Sequence, residues 1–226
     1  MPSKAYKTFN KNIKDVYNLI ETYTKIDEMK HEHKRGRRHL GHLTKGGIIL
    51  LSGAWEVYVE DLLIEAIEFI TKNSTDPSNL PERFKKKICE YIKQNQHELK
   101  ALSLCNSGWK ETCNEIVVKE INVLNTPRAH KVELLYNTFF DNDVTKILTK
   151  KQEISGVKEY IAKDNCFKEL DKLVTLRCEY AHARSNIYTS KEALNSYIVV
   201  IIECVNHMES NMRQGIVNII TKSPWR

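Results

Sequence analysis

Two long segments free of proline repeat apolar residues every three or four positions, and they restrict the fold more than any other feature. In 47–72 the repeat is Leu51, Trp55, Tyr58, Leu62, Ala66, Phe69 and Ile70. From Lys191 to about Thr221 it is Leu194, Tyr197, Ile198, Ile201, Val205, Met208, Met212, Ile216 and Ile219. At ~100° per residue each set falls on one side of an α-helix, whereas a strand would divide it between two faces. A helix with one apolar side must bury that side against another element. Shorter stretches read the same way. Asn10–Met29 carries Val16, Leu19, Ile20, Tyr23 and Ile26, and Lys158–His182 carries Phe167, Leu170, Val174, Cys178 and Ala181. Glu82–Leu99 reads as a basic amphipathic helix, and His130–Phe140 and Asp143–Gln152 as short helices.

Breakers divide these segments. Residues 73–81, NSTDPSNLP, form a loop, and Pro127 ends whatever precedes it. Thr189 followed by Glu192 fits a capping box. Thr112–Leu124 reads as strand or helix. With no neighbouring strand candidate, helix or loop is the better reading. Only 8 Gly and 5 Pro occur in 226 residues, too few for a turn-rich sandwich or barrel. The expectation is an all-α helical bundle with long core helices, one domain over 1–226. A basic connector is expected at 30–46 and a less regular, short-helix elaboration at 73–157.

Composition excludes several classes. No apolar run approaches the ~18–20 residues of a membrane span. The longest, Tyr197–Ile202, stops at Glu203. The N-terminus lacks the apolar core of a signal peptide, so the expected location is cytoplasmic, with no membrane association. The six cysteines contain no C-x-x-C, and free thiols are expected. His31, His33, His39 and His42 have no matching carboxylate or Cys set, so neither metal nor cofactor is expected. Gly46-Gly47 lacks the Lys of a P-loop, and no serine has a nucleophile-elbow context. The net charge of +6 permits a polyanionic partner. Its densest run is KHEHKRGRRH at 30–39. That run reads as a solvated charge run or as a phosphate contact through Lys34, Arg35, Arg37 and Arg38. Arg128 and His130 are weaker candidates for such contacts.

The segment with chemical potential is LRCEYAHARSN, 176–186. On a continuing helix Arg177 and His182 border the packed stripe on opposite flanks, and neither points straight at solvent. The bland reading is a His meeting terminal carbonyls and an Arg laying its stem over apolar surface. The sharper reading is a pair lining a cleft or a dimer seam. On 47–72, Asp61, Glu65 and Glu68 form a solvated acidic face. Glu56 and Glu60 instead lie between the main stripe and a second apolar set, Val57, Ile64 and Ile67. Carboxylates so placed need partners. An ion pair that orients Arg177, a carboxylate that tunes His182, and simple surface exposure all remain open.

LRCEYAHARSN resembles the R-x4-6-H signature of HEPN domains. LLSGAWEVYVEDLLIEAIEF (50–69) resembles the long helix of the RiboL-PSP-HEPN group, and NTPRAHKVELLYNTFF (125–140) its mid-domain segment. Together they span roughly residues 40–220. The resemblance implies metal-independent RNA cleavage by 2′-OH attack, leaving 2′,3′-cyclic phosphate and 5′-OH ends. It assigns Arg177 and His182 as catalytic, across a homodimer seam, and a toxin or anti-phage defence setting. Where the family pattern has a polar residue after the Arg, this chain has Cys178; either the polar partner is missing or Glu179 substitutes for it. That departure keeps a second reading open: a noncatalytic HEPN-like module binding an antitoxin, nucleotidyltransferase or defence-system protein.

Overall fold

The computed structural model describes residues 1–31, 40–94, 98–141, 144–145, 166–182 and 187–225. The described helices are α1 (Lys4–His31), α2 (Gly41–Asn73), α3 (Glu82–Gln94), α4 (Gly108–Asn122), α5 (Ala129–Phe139), α6 (Cys166–Ala181) and α7 (Lys191–Ile220). Short 3-10 turns occupy Pro77–Asn79 and Glu98–Leu104. Among the described residues there is no strand, and the chain is an all-α bundle. None of these helices is long and apolar enough to cross a membrane.

α2 runs through the middle, packed along α1 and in contact with α4, α6 and α7. The sequence explains this placement. Leu51, Trp55, Tyr58, Leu62 and Ala66 supply one stripe, while Ile48, Val59, Leu63, Ile67 and Ile70 widen it until the helix is apolar on most sides. Such a helix is stable only when surrounded. α7 approaches closely at Gly47, where an added Cβ would lie 2.5 Å from a Leu194 methyl carbon. Three buried polar groups are satisfied across helices. Trp55 Nε1 donates to the Pro127 carbonyl at 2.9 Å, Tyr58 to that of Val205 at 3.0 Å, and Tyr136 to that of Val59 at 2.7 Å.

The start of α1 is held by two distant carboxylates. Glu209 accepts from the Ser3 amide and hydroxyl at 2.6 and 2.7 Å. Glu65 Oε2 accepts the amides of Lys4 and Ala5 at 2.8 and 3.1 Å. These amides have no partner within the helix, and negative charge suits a helix N-terminus. Glu65 is therefore a half-buried helix cap and not part of a solvated face.

Several boundaries differ from the sequence reading. Residues 41–46, assigned to the connector, are the first turns of α2. The ambiguous stretch 112–124 is mostly α4, because Trp109, Cys113, Ile116, Val117 and Ile121 bury one helical face. α3 stops at Gln94. The cap of α7 is Ser190, whose hydroxyl accepts the Ala193 amide at 3.1 Å, while Thr189 bonds Tyr180 instead. The short helix expected at Asp143–Gln152 falls mainly outside the described residues.

A contrast between two positions of α2 tests this packing. Leu62→Ala, at a fully buried site, is expected to cost about 2–5 kcal/mol. Val57→Ala, on the exposed side, should stay within about 0.5 kcal/mol. Urea unfolding of both variants measures the difference, and equal costs would contradict a central α2.

Candidate functional site

α6 carries the LRCEYAH segment and is fixed from several sides. Leu170, Leu173 and Val174 are buried, and α6 packs on α2 and α7. Near its start, Cys166 Sγ lies 3.7 Å from Cys204 Sγ of α7. Asp171 accepts the Ala129 amide at 3.1 Å and so caps α5. Arg128 donates to the Asp171 carbonyl at 3.3 Å and the Thr175 hydroxyl at 3.1 Å. These two bonds, both from Nη1, tie Arg128 to α6. His130 is exposed, 3.8 Å from Glu133.

At the other end, the Tyr180 hydroxyl bonds Thr189 Oγ1 at 2.5 Å and donates to the Ile187 carbonyl at 3.2 Å. These contacts tie the segment leading into α7 to the last turn of α6. Around them the structure gathers residues that the sequence pattern does not single out. The ammonium of Lys45 lies 5.2 Å from the Tyr180 ring centre, and that of Lys191 lies 5.7 Å from the Tyr23 ring. Tyr23 and Tyr188 share a hydroxyl–hydroxyl bond of 3.0 Å, which is the main reason the Tyr23 pKa is pushed up to about 12. Only the aromatic content near the motif hints at this cluster, because its pairings span 135 to 168 positions of sequence.

Arg177 is half-buried on the face toward α2. Its Nη2 lies 3.9 Å from Glu56 Oε2, with side-chain exposures of 35% and 27%. That is an ion pair and too long for a hydrogen bond, so the guanidinium keeps donors for another anion. Glu60, one turn along α2, has no cation at ion-pair distance among the described residues. Burial raises its pKa first, then the charges of Glu56 and Asp61. The two carboxylates thus divide: Glu56 reaches Arg177, and Glu60 sits beside it without such a cation.

His182 lies in the turn that closes α6, with its amide donating to the Cys178 carbonyl at 3.2 Å. It is exposed. The expectation that it borders packed surface fails because the helix ends there and no neighbouring helix among the described residues covers the turn. Arg177 and His182 differ by about 140° around the helix axis, one facing inward and the other outward. Cys178 is half-buried. Glu179 lines a recess of about 460 Å³ with Lys168, Lys172, Leu176, Ile187 and Tyr197. Its Oε2 is buried there without a hydrogen-bond partner among the described residues. The structure therefore joins Arg177 to Glu56, while Glu179 belongs to the recess. Lys34, Arg35, Arg37 and Arg38 lie outside the described residues. Among the described residues, no three His, Cys, Asp or Glu side chains are grouped to hold a metal.

A comparison with protein families matches the model described as RiboL-PSP-HEPN to residues 7–213. No curated protein and no solved structure matches the chain at a significant level.

Glu60 yields a test of the site's electrostatics. Its folded-state pKa is raised, so the folded chain holds this proton more tightly than the unfolded chain. Stability is then lost as pH rises from the ordinary value of 4.5 through the folded pKa, and the penalty is constant above it. Glu60→Gln should therefore melt higher than wild type at pH 7. The gain should disappear once both states are protonated, below pH 4.5. Melting curves across that range check the sign, and a lower melting temperature at pH 7 would contradict it.

Proposed function

The chain belongs to the RiboL-PSP-HEPN family, and from that premise we propose that it is a metal-independent endoribonuclease acting through Arg177 and His182. The observation that carries the reading is the split character of α6's last turns. Arg177 is held at 3.9 Å from Glu56 of the central helix, while His182 is open to solvent at the helix end. An oriented cation and an accessible imidazole, carried by successive turns at one end of the same helix, suit cleavage of a phosphodiester.

In the proposed reaction the RNA's own 2′-oxygen bonds to phosphorus and the P–O5′ bond breaks. One proton leaves the 2′-hydroxyl and one reaches O5′, leaving a 2′,3′-cyclic phosphate and a 5′-OH. Imidazole exchanges protons near neutral pH, which gives His182 the acid–base role. The Arg177 guanidinium offers parallel hydrogen bonds to phosphoryl oxygens, where negative charge builds in the transition state. Glu56 orients it. Two proton transfers call for two imidazoles, and a homodimer with both motifs at its seam provides them. Lys34, Arg35, Arg37 and Arg38 are proposed to track the RNA backbone. A toxin or anti-phage role, with an antitoxin or defence-system protein in control, fits such an activity in the cytoplasm.

A second reading, a noncatalytic module that binds a protein partner, draws on one observation. Cys178 occupies the slot after Arg177, and the neighbouring Glu179 lines the recess.

The test is cleavage of a mixed RNA pool in EDTA. His182→Ala is expected to lower the rate by about 10²–10⁴-fold while the melting curve stays unchanged, since the residue is exposed. Arg177→Ala should lose activity comparably. Full activity in a folded His182→Ala protein would remove the proposal, and no cleavage by folded wild type would favour the noncatalytic reading.

A further inference from the structure

We propose that Tyr188 is a base-stacking platform, which makes single-stranded RNA with an unpaired base next to the cleaved linkage the substrate of this site. The inference rests on the ribonuclease reading and names a recognition residue for it.

Tyr188 is 56% exposed, and its neighbour Ile187 is 50% exposed. An exposed tyrosine is ordinary when it is free to rotate, but this one is held. Its hydroxyl is already bonded to Tyr23 at 3.0 Å. Its ring lies against the start of α2, with two ring carbons 3.5 and 3.6 Å from where a Cβ on Gly41 would be. The polar tip and one side of the ring are therefore occupied, and the remaining aromatic surface faces solvent. The flanking residues are equally fixed. Tyr180 bonds the Ile187 carbonyl and the Thr189 hydroxyl, and Ser190 caps α7. Little conformational freedom remains to be lost on binding.

The position also adjoins the proposed site. Tyr180 lies two residues before His182 on α6, so its hydroxyl ties Tyr188's segment to the end of the helix that carries the imidazole. Two cations stand at the same end of the bundle. Lys45 lies over the Tyr180 ring, and Lys191 lies over Tyr23 with its ammonium donating to Thr24 at 3.3 Å. A fixed aromatic surface with fixed ammonium groups nearby matches the two chemical faces of a nucleotide, a flat base and an anionic phosphate. A paired base inside a helix offers no free face, which is why the chemistry selects single strands.

The experiment measures anisotropy with a fluorescent 2′-O-methyl oligoribonucleotide of mixed sequence, which lacks the attacking hydroxyl and is not cleaved. A matched oligonucleotide with abasic positions is compared. Wild type is expected to bind the complete oligonucleotide more tightly than the abasic one. Tyr188→Leu should weaken binding of the complete oligonucleotide by about 5- to 150-fold, the worth of one stacked base, and abolish the discrimination. Tyr188→Phe keeps the ring and should keep the discrimination. If wild type cleaves RNA through His182 but Tyr188→Leu binds both oligonucleotides as wild type does, the stacking role is overturned and the ribonuclease reading survives. The stacking role is likewise overturned if Tyr188→Leu changes only the sedimentation of the protein, since the patch then joins two copies. If wild type neither binds nor cleaves RNA, both readings fall together.

Discussion

The burial of α2 on nearly every side is the constraint on which the rest of the structure depends. A helix with apolar residues at both Leu51–Trp55–Tyr58–Leu62 and Ile48–Val59–Leu63–Ile67 has no stable solvated form. α1, α4, α6 and α7 are the cover it requires. Two of the covering helices, α1 and α7, and the turn at Pro127 are then tied by polar bonds that have direction, which apolar packing lacks. Glu65 of α2 and Glu209 of α7 cap α1, Trp55 grips the turn at Pro127, and Tyr58 reaches α7. The apolar contacts supply the stabilisation, and these bonds fix the register.

The candidate site is a by-product of the same arrangement. α6 must lie along α2 to cover it, which brings Arg177 beside Glu56. α6 ends at Ala181, and His182 just beyond it is exposed. A buried helix thus lends a carboxylate to an arginine, while the end of a covering helix leaves an imidazole in solvent. Neither residue needs a specialised loop. Tyr180 repeats the logic at the last turn, where one hydroxyl secures the segment entering α7 and so fixes Tyr188.

What is legible in the sequence follows the range of the interactions. Helical stripes are local, and those of α1, α2 and α7 emerge with ends shifted by a few residues. The pairing of Glu56 with Arg177 can be suggested because two helical wheels each offer an unsolvated charge. The wheel treats Glu60 alike, and only the relative placement of two helices separates the pair. Thr112–Leu124 is ambiguous in sequence because its β-branched residues suit a strand locally. The decisive buried residues begin earlier, at Trp109, and continue through Cys113. Burial against α2 there outweighs local preference. The cap by Glu65, the Arg128 bonds to α6 and the Tyr23–Tyr188 contact link residues far apart in sequence, and no local pattern encodes them.

The central claim is that the RNA supplies its own nucleophile at the Arg177–His182 site. The most direct measurement is mass spectrometry of the product ends after wild-type protein has cut a defined oligoribonucleotide in EDTA. A matched substrate carries a single 2′-deoxyribose on the 5′ side of the cut. The account predicts 2′,3′-cyclic phosphate and 5′-OH ends on the first substrate and an uncut linkage in the second. Products with 3′-OH and 5′-phosphate ends, or cleavage at the deoxy position, would contradict it.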